Sequence, residues 1–217
     1  MTLLLKLLLF CELLRMGAFL ECETCSAYGQ TCTGETKTCS EDQDTCITIY
    51  TESNLNDTEI QKIERGCDTS YRCTFPPIFF HMGFGRIYRS NWVCCKGEDC
   101  ATAVVKLPPK AMVYNGKQCP ACYEWSETCK TDLVNCTGWD TSCFEVISMT
   151  NSSGAHTQRI MMGCTNKFVC ATMDIEHSSF WLDDNIIQKA ECTSQASRLI
   201  SFIWPTFPGL FLLKILL

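Results

Sequence analysis

The sequence predicts an all-β, disulfide-rich chain of two tandem modules, and three observations carry that expectation. The first is cysteine number. The 217 residues include 19 cysteines, and setting Cys11 aside in an apolar leader leaves 18, the even count a disulfide framework requires in an oxidising compartment. The second is spacing. Cys22, Cys25, Cys32, Cys39, Cys46, Cys67 and Cys73 recur as Cys119, Cys122, Cys129, Cys136, Cys143, Cys164 and Cys170, each shifted by 97 positions, so the chain holds two copies of one unit. The third is hydrophobic patterning: the apolar runs are short and β-branched, and none before the C-terminal tail repeats with a helical period.

Residues 1–20, MTLLLKLLLFCELLRMGAFL, form a leucine-rich stretch with Lys6 near its start and small Gly17 and Ala18 near its end. That reads as a secretory signal peptide cut before Glu21. Glu12 and Arg15 interrupt the apolar run, and the alternative is an N-terminal membrane anchor or a buried helix.

Module one spans residues 21–100. Thr45-Cys46-Ile47-Thr48-Ile49-Tyr50 is rich in β-branched residues, and Ile60 to Gly66 can return antiparallel to it across a polar turn. Residues 101–118 are a linker, because the Pro108-Pro109 pair favours extended backbone. Module two, residues 119–193, repeats the hairpin with Phe144 to Met149 and Thr157 to Gly163. At roughly 75 to 80 residues each, such modules bury too little apolar surface to be more than marginally stable. Cross-links worth about 2–4 kcal/mol apiece would make up the deficit.

The C-terminal run 194–217 contains LISFIWPTFPGLFLLKILL and follows the small, polar Thr193-Ser194-Gln195-Ala196-Ser197. We expect a glycosylphosphatidylinositol-anchor signal there, with the lipid attached at Ser194. A membrane span and a soluble secreted form are the alternatives; Pro205, Pro208 and Gly209 weigh against the span. Removing both ends takes Lys6, Arg15, Arg198 and Lys214 from 18 basic residues and Glu12 from 24 acidic ones, leaving 14 against 23, a net charge of −9. That balance repels nucleic acid and anionic lipid, which excludes nucleic acid as a partner.

The cysteine pattern also speaks against other thiol chemistry. The C-x-x-C pairs at Cys22 and Cys119 head separate modules, whereas zinc sites set such pairs a short loop apart, and no βαβ pattern surrounds either pair as a thioredoxin-like centre would need. His81, His156 and His177 are scattered, with no serine or free cysteine beside them in a nucleophile context. No catalytic residue, metal ligand or cofactor is assigned, and the chain is expected not to be an enzyme.

Each copy resembles the three-finger, snake-toxin-like domain of the urokinase-receptor and lymphocyte-antigen-six family. The resemblance rests on C-x-x-C, a third cysteine seven residues after the second, two more, two later ones, and in copy one the ending Cys94-Cys95-Lys96-Gly97-Glu98-Asp99-Cys100. It implies the pairs Cys22–Cys46, Cys25–Cys32, Cys39–Cys67, Cys73–Cys94 and Cys95–Cys100. In module two it implies Cys119–Cys143, Cys122–Cys129, Cys136–Cys164 and Cys170–Cys192. There Cys192 stands alone, with no double cysteine and no final partner, so the last small loop is unclosed. Two such modules, with "FGRIYRSNWVCC" and "KAEC", are similar to the gamma-type secreted phospholipase inhibitors and their anchored mammalian relatives.

That resemblance implies a non-catalytic extracellular protein that binds another protein, on the outer face of the plasma membrane or secreted. The alternatives are a soluble secreted phospholipase inhibitor and a receptor or channel modulator. Asn56-Asp57-Thr58 and Asn151-Ser152-Ser153 are glycosylation sequons in the central finger of each module, and Asn135-Cys136-Thr137 is a third whose cysteine is expected in a bridge. The third finger of module one brings together Phe75, Phe79, Phe80, Phe84 and Tyr88 with Arg86. These are the ligand-binding candidates, because aromatic and arginine side chains dominate protein contacts. The same alternation would equally serve a sheet face or the contact between modules.

Overall fold

The computed structural model describes residues 19–55, 58–97, 99–152, 155–173 and 185–193. Among them, module one contributes β1 (Glu21–Tyr28), β2 (Glu35–Thr38), β3 (Thr45–Ser53), β4 (Ile60–Asp68), β5 (Ile78–His81) and β6 (Ile87–Cys95). Module two contributes β7 (Tyr114–Glu124), β8 (Asp132–Thr137), β9 (Ser142–Ser152), β10 (Ala155–Thr165) and β11 (Asn185–Thr193). The expected β-branched hairpins are β3–β4 and β9–β10, with Ile47 opposite Gly66 and Phe144 opposite Gly163. Among the described residues no helix is long and apolar enough to cross a membrane; the leader to residue 18, the proposed anchor residue Ser194 and the tail beyond it lie outside them.

Among the described residues there are nine disulfides, and they are the nine pairs the resemblance implies. In each module the sulfurs of three cysteines, Cys22, Cys39 and Cys67 or Cys119, Cys136 and Cys164, lie within 4.8 Å of one another. Sulfurs so placed imitate a metal cluster, but each is joined to a partner sulfur and so is no thiolate ligand.

Cys192 breaks the offset that the other cysteines keep, standing 98 rather than 97 positions from Cys94. The strand register accounts for the extra residue. Up to Ile187↔Ser148 the pairing of β11 on β9 copies that of β6 on β3, where Ser90 faces Thr51; after it, Lys189 faces Ile147 as Asn91 faces Tyr50. Gln188 is therefore the insertion, taken up as a bulge between Ile187 and Lys189. A bulge absorbs one residue without moving the ends of the ladder, so Cys192 still faces Phe144 as Cys94 faces Ile47.

The modules are not beads on a free linker. The sheet runs β11-β9-β10-β5-β6-β3-β4-β1-β2, with β7 and β8 joining it on β10. The junction is β5 against β10, where His81 pairs with Cys164. Residues expected as an extended linker begin in the short helix Asp99–Thr102 and then lie as a strap on module one. Val105 and Leu107 pack on the Tyr50–Ile63 cluster, the Asn91 side-chain amide donates to Lys106 O at 2.7 Å, and the Arg89 guanidinium donates to Pro108 O. β7 starts at Tyr114, inside the stretch expected to be linker.

A shared core forms at the junction. Ile78, Phe80, Met82 and Trp92 of module one pack with Tyr123, Phe144, Val146 and Met161 of module two. Small disulfide-bonded units have little apolar surface of their own, so pooling it is where most of the available hydrophobic stabilisation lies.

Candidate functional site

The aromatic third finger is mainly internal: of the two roles its alternation allows, most of its residues take the contact between modules. Phe80 is 2% exposed, with its ring centroid 4.4 Å from that of Phe144 across the junction. Phe75 and Tyr88 are half-buried against the same core. Arg86 donates to Tyr123 O at 2.9 Å and lies over the Tyr123 ring, and Thr165 Oγ1 donates to Phe79 O at 2.7 Å. The alternation along β5 and β6 thus feeds a joint between modules. Two of the six candidates escape it. Phe84, at a fingertip between two glycines of positive φ, is 78% exposed, and Phe79 turns its half-buried ring toward a groove.

That groove encloses about 530 Å³ between the modules. One wall is Pro76, Pro77 and Phe79, where successive prolines hold the entry to β5 extended. Pro108 and Pro109 of the strap form the second wall, and the third comes from module two through Trp139, Asp140 and Phe168.

Local sequence explains how the third wall is presented. Gly138 adopts φ of 52° and donates to Val113 O at 2.9 Å, while an added Cβ would come within 2.4 Å of the Ala111 methyl. Only glycine satisfies both demands, and the turn it permits throws Trp139 outward, 86% exposed. Phe168 is the second residue of the short helix Lys167–Ala171; Asn166 Oδ1 caps that helix by accepting from Phe168 N and Val169 N, each at 2.9 Å, and the ring is left 57% exposed.

Asp140 is the unusual group. It is 5% exposed. Its N–H donates to Thr137 O at 3.0 Å and its C=O accepts from the Asn115 amide at 3.2 Å, so both main-chain groups are engaged in the turn. Burial pushes its carboxyl up from 3.8 to about 7, because desolvation disfavours the ionised form.

A pH-dependent stability follows. The folded value lies above the unfolded one, so the native state keeps a proton that the unfolded chain releases. Stability contributed by Asp140 is full below about pH 4 and is lost as pH rises through about 7. Asp140→Asn removes this term. In urea titrations the variant is expected to outlast the wild type by a margin that widens from pH 4 to pH 8, toward an upper bound of about 4 kcal/mol. Parallel stability curves for the two proteins would refute the buried charge.

The sequon residues are placed unevenly. Asn135 is exposed on β8, where its side-chain oxygen accepts from Gln118 at 2.8 Å, and it adjoins fully buried Cys136 of the Cys136–Cys164 bridge. Asn151 lies opposite His156 at the tip of β9–β10, and Asn56 lies outside the described residues. Sequence pattern alone does not point to Trp139, Asp140 or Phe168. The one signal was Gly138-Trp139-Asp140, an indole in a glycine-led turn, where no strand pattern gives it a core to enter.

Each module matches a known family model. Residues 20–102 match the phospholipase A2 inhibitor family model and residues 115–195 the u-PAR/Ly-6 domain model. A gamma-type phospholipase A2 inhibitor chain of Gloydius brevicaudus siniticus is 29% identical over 178 residues, 77% of this chain and 86% of that protein. Protein RoBo-1 of Rattus norvegicus is 29% identical over 110 residues, 49% of this chain and 44% of that protein. A 25 kDa phospholipase A2 inhibitor chain of Naja kaouthia is 28% identical over 170 residues, 75% of this chain and 86% of that protein. Among solved structures, mouse TEX101 aligns over 81% of this chain and 99% of its own, at 14% identity and a TM-score of 0.37.

Proposed function

We propose that this chain, whose residues 20–102 match the phospholipase A2 inhibitor family model and whose residues 115–195 match the u-PAR/Ly-6 domain model, is a non-catalytic extracellular protein that works by docking another protein in its inter-module groove. The observation that carries this reading is Trp139, an indole left 86% exposed on the rim of a preformed apolar groove. Exposed aromatics of this kind supply much of the binding energy at protein interfaces, and a disulfide-braced groove loses little entropy on docking. In this reading the mature chain is residues 21–194, with domains 21–100 and 119–193 about the strap, and glycans occupy the central fingertips at Asn56 and Asn151. A lipid attached at Ser194 holds it on the outer plasma membrane. Phosphatidylinositol-specific lipase is expected to release it from expressing cells; retention would refute the anchor.

The docking surface is tested by placing a photo-crosslinking phenylalanine analogue at position 139 and, as a control, at Thr36 on exposed β2. Cross-links are expected from position 139 alone, competed by excess wild-type protein and not by Trp139→Ala. Equal cross-linking from both positions would overturn the assignment. A second reading, inhibition of a secreted phospholipase, is favoured by the names of the two snake relatives. Hydrolysis rates unchanged by micromolar purified protein across secreted isoforms would remove it.

A further inference from the structure

We propose that Asp140 makes the inter-module groove selective for a basic side chain, arginine above lysine, on the docked protein. The inference rests on the docking reading and adds the chemistry of the partner. Asp140 lines the groove with both main-chain groups already hydrogen-bonded, so the carboxyl is the polar group it has left to offer. Among the described residues, nothing forms a hydrogen bond or ion pair with that carboxyl, and desolvation alone shifts it.

The two cations that line the groove, Arg89 and Lys167, and Lys110 on the strap beside it make other contacts. Arg89 is only 5% exposed; it pairs with Glu52 at 3.0 Å and donates to Pro108 O. Lys167 holds its ammonium 5.2 Å over the Phe168 ring. Lys110, on the strap, faces Glu52 and Glu59 at 3.9 and 4.0 Å. Among the described residues none of these cations is paired with the Asp140 carboxyl. A carboxyl held near neutrality by burial gains most when a cation arrives, because the new charge offsets the desolvation that disfavours ionisation. Trp139 flanks the same space and offers a ring face to such a cation, while the Phe168 ring already holds the Lys167 ammonium. A guanidinium stacks on aromatic planes and meets a carboxylate through two parallel hydrogen bonds, whereas an ammonium acts as a strongly hydrated point charge. The net charge of −9 on residues 21–194, counted as above, would steer such a partner inward.

The test is a titration of the folded chain, followed by amide NMR, with acetyl-Leu-Arg-Leu-amide and its citrulline counterpart, which keeps shape and removes charge. The arginine peptide is expected to shift residues 138–141 and 167–169 saturably and to bind at least tenfold more tightly than the citrulline peptide. Its affinity should rise about tenfold from pH 6 to pH 8, as a group titrating at about 7 ionises. Asp140→Asn, which is expected to fold at least as stably, should bind both peptides alike. Equal binding of the two peptides to wild-type protein would overturn the charge selection and leave the docking reading standing. Undiminished preference for arginine in Asp140→Asn would also overturn it. If neither peptide shifts the groove the inference fails, and if position 139 also yields no cross-link the docking reading fails with it.

Discussion

Alanine at Gly163 is expected to pull the two modules apart, while alanine at Gly66 leaves them joined. The two glycines occupy the same place in the repeat, 97 positions apart on β4 and β10, opposite Ile47 and Phe144. Their surroundings differ. A Cβ on Gly66 meets nothing within 4 Å, whereas one on Gly163 would sit 2.0 Å from His81 O and 2.9 Å from Met82 Cα. The obstacle at Gly163 is backbone, which has no rotamer to give, so β5 must retreat from β10. Retreat would break the His81–Cys164 pairing, the Thr165 hydrogen bond to Phe79 O and the packing of Met82, which is fully buried. Overpacking of this kind costs about 3 kcal/mol. Gly66→Ala should change stability by less than about 1 kcal/mol, since an open strand position tolerates a methyl. Thermal unfolding and limited proteolysis of the strap would report both. Matching midpoints for the two variants would mean that β5 does not rest on β10.

Phe80→Ala is expected to be the other severe change, at about 3–5 kcal/mol, because it empties a ring-sized volume in a core drawn from both modules. Phe84→Ala, four residues along the same finger, removes a ring that is 78% exposed and should cost less than about 0.5 kcal/mol. Chemical denaturation of the two variants separates the halves of the finger. A loss below about 1 kcal/mol for Phe80→Ala would show that the modules do not share a core. The pair also bears on function: loss of partner binding in Phe80→Ala would reflect a collapsed joint, not a missing contact.

Much of this architecture is legible in the order of residues. The cysteine offset discloses two copies, and β-branched runs such as Thr45 to Tyr50 disclose their central hairpins. The even count speaks for bridges, and the family resemblance supplies their partners. The one irregular spacing, at Cys192, becomes intelligible only with the register that puts Gln188 in a bulge. The groove is hardly legible at all. Phe79 is among the expected contacts, but Trp139 and Phe168 come from segments with no periodic pattern, and Asp140 reads in the sequence as an ordinary solvated acid.

Strand pattern and thiol spacing are local properties, so they survive along the chain and can be read there. Whether a given edge or carboxyl meets water depends on a neighbour far away in the chain: His81 on Gly163, or Pro108 beside the wall that holds Asp140. Gly66 and Gly163 carry the same repeat signal, yet one is open and the other roofed by backbone. Repetition along the chain could not distinguish them, because burial arises from how two modules pack and no local motif encodes it.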